Sequence, residues 1–372
     1  MTDVCWKARI LVAAGAGLFC AIPCAAQVTP AAGYTPPDDT PSIRVGAVIY
    51  ADYTYQQEPK ITDAGGSEVS LNSFNIGRSY INITGNINHY IAFRITPDIT
   101  RETGVGSSLN GSYTFRLKYA FAQFNLDDWM TRGSWTRLGM QQTPWVDFAE
   151  QVYRYRFQGQ VFSERETFQG TGFLTSSDLG ASFHYNFPLD YGEIHAGVYN
   201  GEGYTRFEAN ATKALQVRGT VRPLHVHPVL RGLRVTGFYD ADAYVKRAEK
   251  RRGLFAVTFE HPYLNASVEY LSTKDQTLPT AAAVDGKGWS VWVTPRSTKG
   301  WEGLLRFDHF DVSKTDSQQR ERQIYGVAYW FPHQGNVSTA LLVDVDNAKF
   351  KNFPSTVPPT QRRIGLHGLV SF

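Results

Sequence analysis

Arginine recurs in this chain in short segments where apolar and polar residues alternate. Arg78, Arg94, Arg116, Lys118 and Arg137 are the first such set, and Arg218, Arg222, Arg234 and Arg306 continue it. A guanidinium stays charged at physiological pH and offers a fork of donors that matches a carboxylate or a phosphate. The chemistry these residues support is reversible anion binding, not bond breaking. No G-x-S-x-G, H-E-x-x-H or P-loop pattern is present to nominate a covalent reaction. His225-Val226-His227 lacks a third ligand and reads as a surface pair, and Asp344-Val345-Asp346 reads as wall rather than as a calcium site. Ser163 to Glu166 resembles a helix start. The chain is therefore expected to be no enzyme and to need no metal or cofactor.

The elements that must position these residues follow from composition and pattern. Residues 1–26 carry a basic start (Lys7, Arg9), an apolar run over 10–22, and small residues up to Ala26. This is the pattern of a cleaved signal peptide, and the run is shorter than the roughly 20 residues a spanning helix needs. All three cysteines (Cys5, Cys20, Cys24) fall inside it. An exported chain without thiols has no disulfide framework and relies on backbone pairing and packing. Removing residues 1–26 takes away Lys7, Arg9 and Asp3, leaving 35 basic residues of 37 and 33 acidic residues of 34. That near-balance excludes a nucleic-acid binder, which would show a basic excess. Mean hydropathy is −0.31, yet the chain holds 20 Tyr, 23 Phe and 8 Trp. Polar on average, rich in aromatics and free of a long apolar window is the composition of a transmembrane β-barrel, whose strands face lipid on one side and water on the other.

Residues 27–42 are rich in proline and small residues and read as a flexible lead-in. From 43 to 372 the period is two. Sixteen segments of about ten residues are expected as antiparallel strands, from IRVGAVIYADYTY (43–55) to RRIGLHGLVSF (362–372). Short connections (85–88, 188–191, 262–263, 296–300, 332–336) are expected to interleave strictly with longer ones (56–72, 101–112, 143–176, 201–210, 274–286, 347–361). Tight turns at one rim and longer loops at the other are what an outer-membrane barrel requires. Two connections, 127–134 and 223–232, are longer than that scheme wants. Phe372 is expected to be the last lipid-facing residue of a closing strand that pairs with the first, and a terminal aromatic there reads as an assembly signal.

Strand parity sorts the charges. Apolar rows face lipid, because a charge there costs about 2–4 kcal/mol near the bilayer middle, so their neighbours face the lumen. The arginines of the second to fifth strands would line one wall. Asp240, Asp242, Glu260, Glu269, Asp308, Asp344 and Asp346 would make the opposite wall more acidic. Parity is ambiguous over 73–78 and after Ala120, where a bulge is expected. Each charge has an alternative role in an internal salt-bridge lattice. Segment 143–176 is too long for a bare connection. It is expected to fold into the barrel and narrow it, with Asp147, Glu150, Arg154, Arg156 and Arg165 at the constriction; an external flap is the alternative.

Several stretches carry a family resemblance in their order and spacing. They are GRSYINITGNI (77–87), RLGMQQTPW (137–145), SSDLGASFHY (176–185), YGEIHAGVYNGEGY (191–204), GWSVWV (288–293) and WEGLLRFDHFD (301–311). Over 43–372 the chain resembles the phosphate-selective porin O/P family, although it has no conspicuous lysine cluster. The resemblance implies a sixteen-stranded, trimeric, passive channel of the bacterial outer membrane for small hydrophilic solutes, with a preference for anions such as phosphate and an inward third loop. It also implies outer-membrane lipid, lipopolysaccharide and the barrel-assembly machinery as partners. The alternatives are an unselective or sugar-passing porin, a closed structural or adhesive barrel, and a barrel-embedded lipase or protease.

Overall fold

The computed structural model describes residues 39–372 apart from 105, 314, 315 and 334. The expected signal peptide and nearly all of the 27–42 lead-in lie outside the described residues. Sixteen antiparallel strands close into one barrel. In chain order they are β1 Ser42–Glu58, β2 Asn72–Asn86, β3 Ile91–Arg101, β4 Tyr113–Asn125, β5 Trp135–Gln142, β6 Ser177–Asn186, β7 Gly192–Tyr199 and β8 Ala214–Val221. The second half comprises β9 Leu233–Val245, β10 Ala248–His261, β11 Leu264–Asp275, β12 Val284–Pro295, β13 Trp301–Asp311, β14 Gln319–Phe331, β15 Ser338–Lys351 and β16 Thr360–Ser371. Each strand pairs with its neighbour in sequence, and β1 pairs with β16 from Val48↔Ser371 to Glu58↔Arg362. Phe372 extends this seam by exchanging two backbone hydrogen bonds of 3.0 Å with Ala47. Closure leaves no unpaired edge, so every spanning backbone group finds its partner inside the barrel.

Alternate residues form the outer surface. Ile43, Val45, Phe74, Phe115, Leu138, Tyr239, Phe255, Val268, Val327 and Val343 are exposed and apolar. At the rim that holds both ends of the barrel, Tyr90 stacks on Trp129 at 5.5 Å and Trp301 packs on Tyr329 at 4.9 Å. An apolar belt with aromatic residues at its edge is what a lipid bilayer selects on a barrel exterior. No helix among the described residues is long and apolar enough to cross a membrane; the crossing is by strands.

The strict interleaving of short and long connections fails at one place. The connection between β9 and β10 is only Lys246-Arg247, with Arg247 in the left-handed region at φ 69°. The charged stretch 248–252 continues the ladder. Asp242 faces Lys250 across the strands, and Asp240 faces Arg252. The long connections 126–134 and 222–232 hide no further strand. A bulge lies within the first ambiguous region and just before the second. Gly77 is passed over in the β1–β2 register and Lys118 in the β3–β4 register. The second lies beside Pro97, which has no N–H to give the ladder. It turns both Lys118 and Tyr119 to the buried side.

Candidate functional site

Segment 143–176 is held against the inner row of the barrel wall. Helix α1 (Pro144–Tyr153) begins with proline in its first turn, where the missing N–H costs nothing. It ends at Arg154 in a left-handed conformation, φ 64°. One turn of helix, α2 (Phe162–Arg165), follows. Trp145 packs on Phe238 of β9 at 5.7 Å and Tyr153 on Trp292 of β12 at 5.3 Å. Tyr155 and Phe157 both meet the edge of Trp330 on β14 at 5.8 Å. Phe162 and Phe173 pack on Phe310 of β13. Polar bonds fix the backbone: Asn265 donates to the Val152 carbonyl at 2.5 Å and Arg306 to the Gln160 carbonyl at 3.0 Å. This corrects the expectation of a water-facing acidic wall. The inner row of β9–β16 includes Phe238, Trp292, Leu304, Phe310, Ile324 and Trp330, all buried with the segment's aromatic residues in one apolar cluster.

The opposite face of α1 is polar. Asp147, Glu150 and Gln151 border a cavity of about 30 Å³ whose other wall is Tyr80, Arg94, Lys118 and Tyr119. Burial raises the Asp147 carboxyl above its ordinary value. Burial also opposes charge on Glu150, but Arg156, Lys118 and Arg78 outweigh it and hold that carboxyl below its ordinary value. Arg156 bridges Glu150 at 2.5 Å and Glu164 at 3.0 Å. Arg154 reaches Glu302 of β13 at 3.4 Å, and Tyr155 donates to the same carboxylate at 2.9 Å. A second cavity of about 430 Å³ lies beyond, lined by Asp52, Arg78, Arg156, Arg165, Arg322 and Arg363 among others.

The basic residues divide by partner. Arg94 is held by neutral groups, Thr96 at 2.9 Å and Asn82 at 2.8 Å. Arg137 is held by Gln123 at 2.8 Å and Gln142 at 3.1 Å, with its guanidinium 3.6 Å from the Trp135 ring centre. Lys118 donates to Tyr80 at 3.1 Å. None of these three has a carboxylate within ion-pair distance among the described residues. Five others are neutralised locally. Arg116 meets Asp98 at 2.8 Å, Arg218 meets Glu193 at 2.6 Å, and Arg306 meets Asp308 at 2.8 Å. Arg234 pairs with Glu260. Arg222 lies past the end of β8, outside the spanning strands, and pairs with Asp190 at 2.5 Å. Of the acids expected on the far wall, Asp242 pairs with Lys250 and Asp346 with Arg322, each at 2.8 Å, whereas Asp240 and Glu269 have no basic group within ion-pair distance among the described residues. His225 lies against Tyr191, with ring centres 3.9 Å apart.

Sequence reasoning missed Tyr204, which sits in the connection 200–213 far from the arginines in sequence. Its hydroxyl accepts from Arg78 and Arg116, each at 3.1 Å, and donates to Asp98 at 3.3 Å. Gly201 and Gly203 precede it with φ of 101° and 75°. Nothing in a tyrosine that follows two glycines announces a cap on two distant guanidinium groups. Tyr204→Phe is expected to free both arginines for solute and raise chloride current about two-fold, a modest effect in line with lost charge-assisted hydrogen bonds. Single-channel recording checks this; an unchanged current would make Tyr204 a packing residue only.

No protein-family model matches the sequence, and no curated protein matches it. Solved structures do match. An anion-selective porin from Comamonas acidovorans superposes with a TM-score of 0.59 at 11% identity, covering 90% of this chain and 100% of that one. The in-vitro folded OmpT outer-membrane protein of Vibrio cholerae, in a trimer form, gives 0.58 at 12% identity, covering 90% and 100%. The outer-membrane channel DcaP of Acinetobacter baumannii gives 0.54 at 11% identity, covering 92% and 100%. With its closed sheet and apolar belt, the chain has the sixteen-stranded fold of bacterial outer-membrane porins.

Proposed function

We propose that this protein is a passive outer-membrane channel for small hydrophilic solutes that favours anions, phosphate among them, as its resemblance to the O/P porins implies. The observation that carries the reading is the patch of Arg94, Lys118 and Arg137. Among the described residues its charges have no carboxylate within ion-pair distance, and Arg94 and Lys118 face Asp147 and Glu150 of α1 across a narrow gap. Positive charge left uncompensated in a low-dielectric wall attracts mobile anions, while acids across the gap set up a transverse field. Segment 143–176 acts as the constriction. The likeness to a porin solved in trimer form supports a homotrimer. Lipid and lipopolysaccharide cover the apolar belt, and the barrel-assembly machinery inserts the barrel.

Reversal potential in a potassium chloride gradient tests the preference. Wild type is expected to favour chloride, and Arg94→Gln with Arg137→Gln to move the potential toward zero. Arg116→Gln should do less, because Asp98 already neutralises Arg116. A cation-selective wild type would refute the reading. A second reading, a closed structural barrel, is favoured by the small size of the gap, about 30 Å³. Absence of any single-channel current would establish it.

A further inference from the structure

We propose that the connection between β8 and β9, residues 222–232, forms with its neighbour 187–191 a foot that seats in the inner leaflet of the outer membrane and meets the phosphates of anionic phospholipid. Both connections lie at the rim that holds the two ends of the barrel. They are joined to each other. The Arg222 N–H donates to the Tyr191 carbonyl at 2.7 Å, Tyr191 and His225 meet with ring centres 3.9 Å apart, and Arg222 pairs with Asp190. On this joined surface Leu189 is 79% and Val226 83% exposed, and Tyr191, Leu224, Val229 and Leu230 are exposed as well. Single exposed apolar residues need no explanation, but a group of them marks a surface that something covers.

Lipid is the occupant because the patch continues the apolar belt. Val221, the last residue of β8, pairs with Val235, and Val235 with Val257. This outward row crosses three strands, and Val221 and Val257 are exposed. The loop that follows is braced. His227 Nδ1 accepts from the N–H groups of Val229 at 3.2 Å and Leu230 at 3.1 Å, and the Arg231 N–H donates to the His227 carbonyl at 3.1 Å. Gly232 closes the loop onto β10, where a Cβ would stand 1.8 Å from the Glu260 carbonyl oxygen. Bracing of this kind keeps the apolar tips outside the barrel. Beside them Arg231 is exposed and has no carboxylate within ion-pair distance among the described residues. Apolar tips next to a free cation are the composition of a segment lying at a membrane surface, where headgroup phosphates meet the charge. The same role accounts for the length of 222–232, which a bare turn at this rim does not need.

The test uses the full-length protein with Cys5, Cys20 and Cys24 replaced by serine, so that an introduced thiol is unique. Val226→Cys carries a nitroxide label and is reconstituted in phosphatidylethanolamine vesicles with and without phosphatidylglycerol. Oxygen, which concentrates in lipid, is expected to collide with the label more often than a water-soluble nickel chelate does. At Lys299→Cys, in the short connection 296–300 of the same rim, the order should reverse. Phosphatidylglycerol should lower the nickel collisions at Val226→Cys further, and Arg231→Gln should abolish that increment. Leu189→Cys serves if Val226→Cys does not fold. Labels at both positions that collide mainly with nickel overturn the foot. So does a label that is water-exposed in vesicles yet shielded from both reagents in intact outer membranes, which would assign the patch to a periplasmic protein. A phosphatidylglycerol effect that is absent, or that survives Arg231→Gln, overturns the contact with anionic headgroups.

Discussion

Replacing residues 147–172 with a short glycine-serine linker is expected to raise single-channel conductance several-fold. A sixteen-stranded barrel is wide enough to hold an aqueous channel when nothing fills it. Here Trp145, Tyr153, Tyr155 and Phe162 share one buried cluster with partners on β9 and β12–β14. Trp145 is 1% exposed and Tyr155 0%. Each large apolar side chain so buried contributes about 1.5–3 kcal/mol. The segment is accordingly a packed element. The barrel itself should persist without it, because the sixteen-strand ladder and the β1–β16 seam use no residue of the segment. The replacement does expose Trp292, Phe310 and Trp330 to water, so the heat-unfolding midpoint on gels should fall. Conductance equal to wild type would place the passage elsewhere and remove the constriction role from the segment.

Glu302→Ala is expected to cause the largest loss of stability among single substitutions and to make the current flicker. Glu302 is 7% exposed and gathers three donors. Tyr155 lies at 2.9 Å, Arg154 at 3.4 Å and Arg296 at 3.5 Å. Arg154 and Arg296 are themselves 13% and 11% exposed, so solvent screens the pairs little. Removing one partner of a buried ion pair costs about 3–5 kcal/mol, because the charge left behind stays desolvated. Two guanidinium groups would be stranded here. The contact also ties the end of α1 to β13, where the backbone of Arg154 adopts the left-handed region. Loosening it frees the segment locally while the barrel stays closed. Glu302→Gln keeps an acceptor for Tyr155 and should fall between the two. A Glu302→Ala protein that unfolds at the wild-type temperature with a quiet current would show that the aromatic contacts alone hold the segment.

Much of the barrel was legible because period-two alternation is a local property. Every one of the sixteen strands leaves its apolar row in the sequence, and lipid outside forbids charges on that row. Bulges at Gly77 and Lys118 fall in or beside the stretches where the alternation became ambiguous. The β9–β10 turn was obscured because Lys250, Arg251 and Arg252 have a loop-like composition, while their ladder with Asp240 and Asp242 supplies the reason for a strand.

The inner surface was harder to read. Parity tells which residues point inward and not what meets them there. Leu254, Trp292, Leu304 and Leu342 made their strands apolar on both faces, a sign that something other than water covers the inside. Which segment covers it depends on packing between residues more than a hundred positions apart, such as Trp145 with Trp292 in one cluster. The same holds for charge. Arg94 and Arg116 have similar sequence surroundings, yet only Arg116 meets Asp98, and only tertiary contact brings Tyr204 to cap it. By itself, then, the sequence determined the strand number and the membrane-facing surface, since these rest on local alternation and on the cost of charge in lipid. Only the tertiary structure decided which of the arginines stay unneutralised and which wall residues segment 143–176 packs against, because pairing and packing depend on distances between strands that no local pattern encodes.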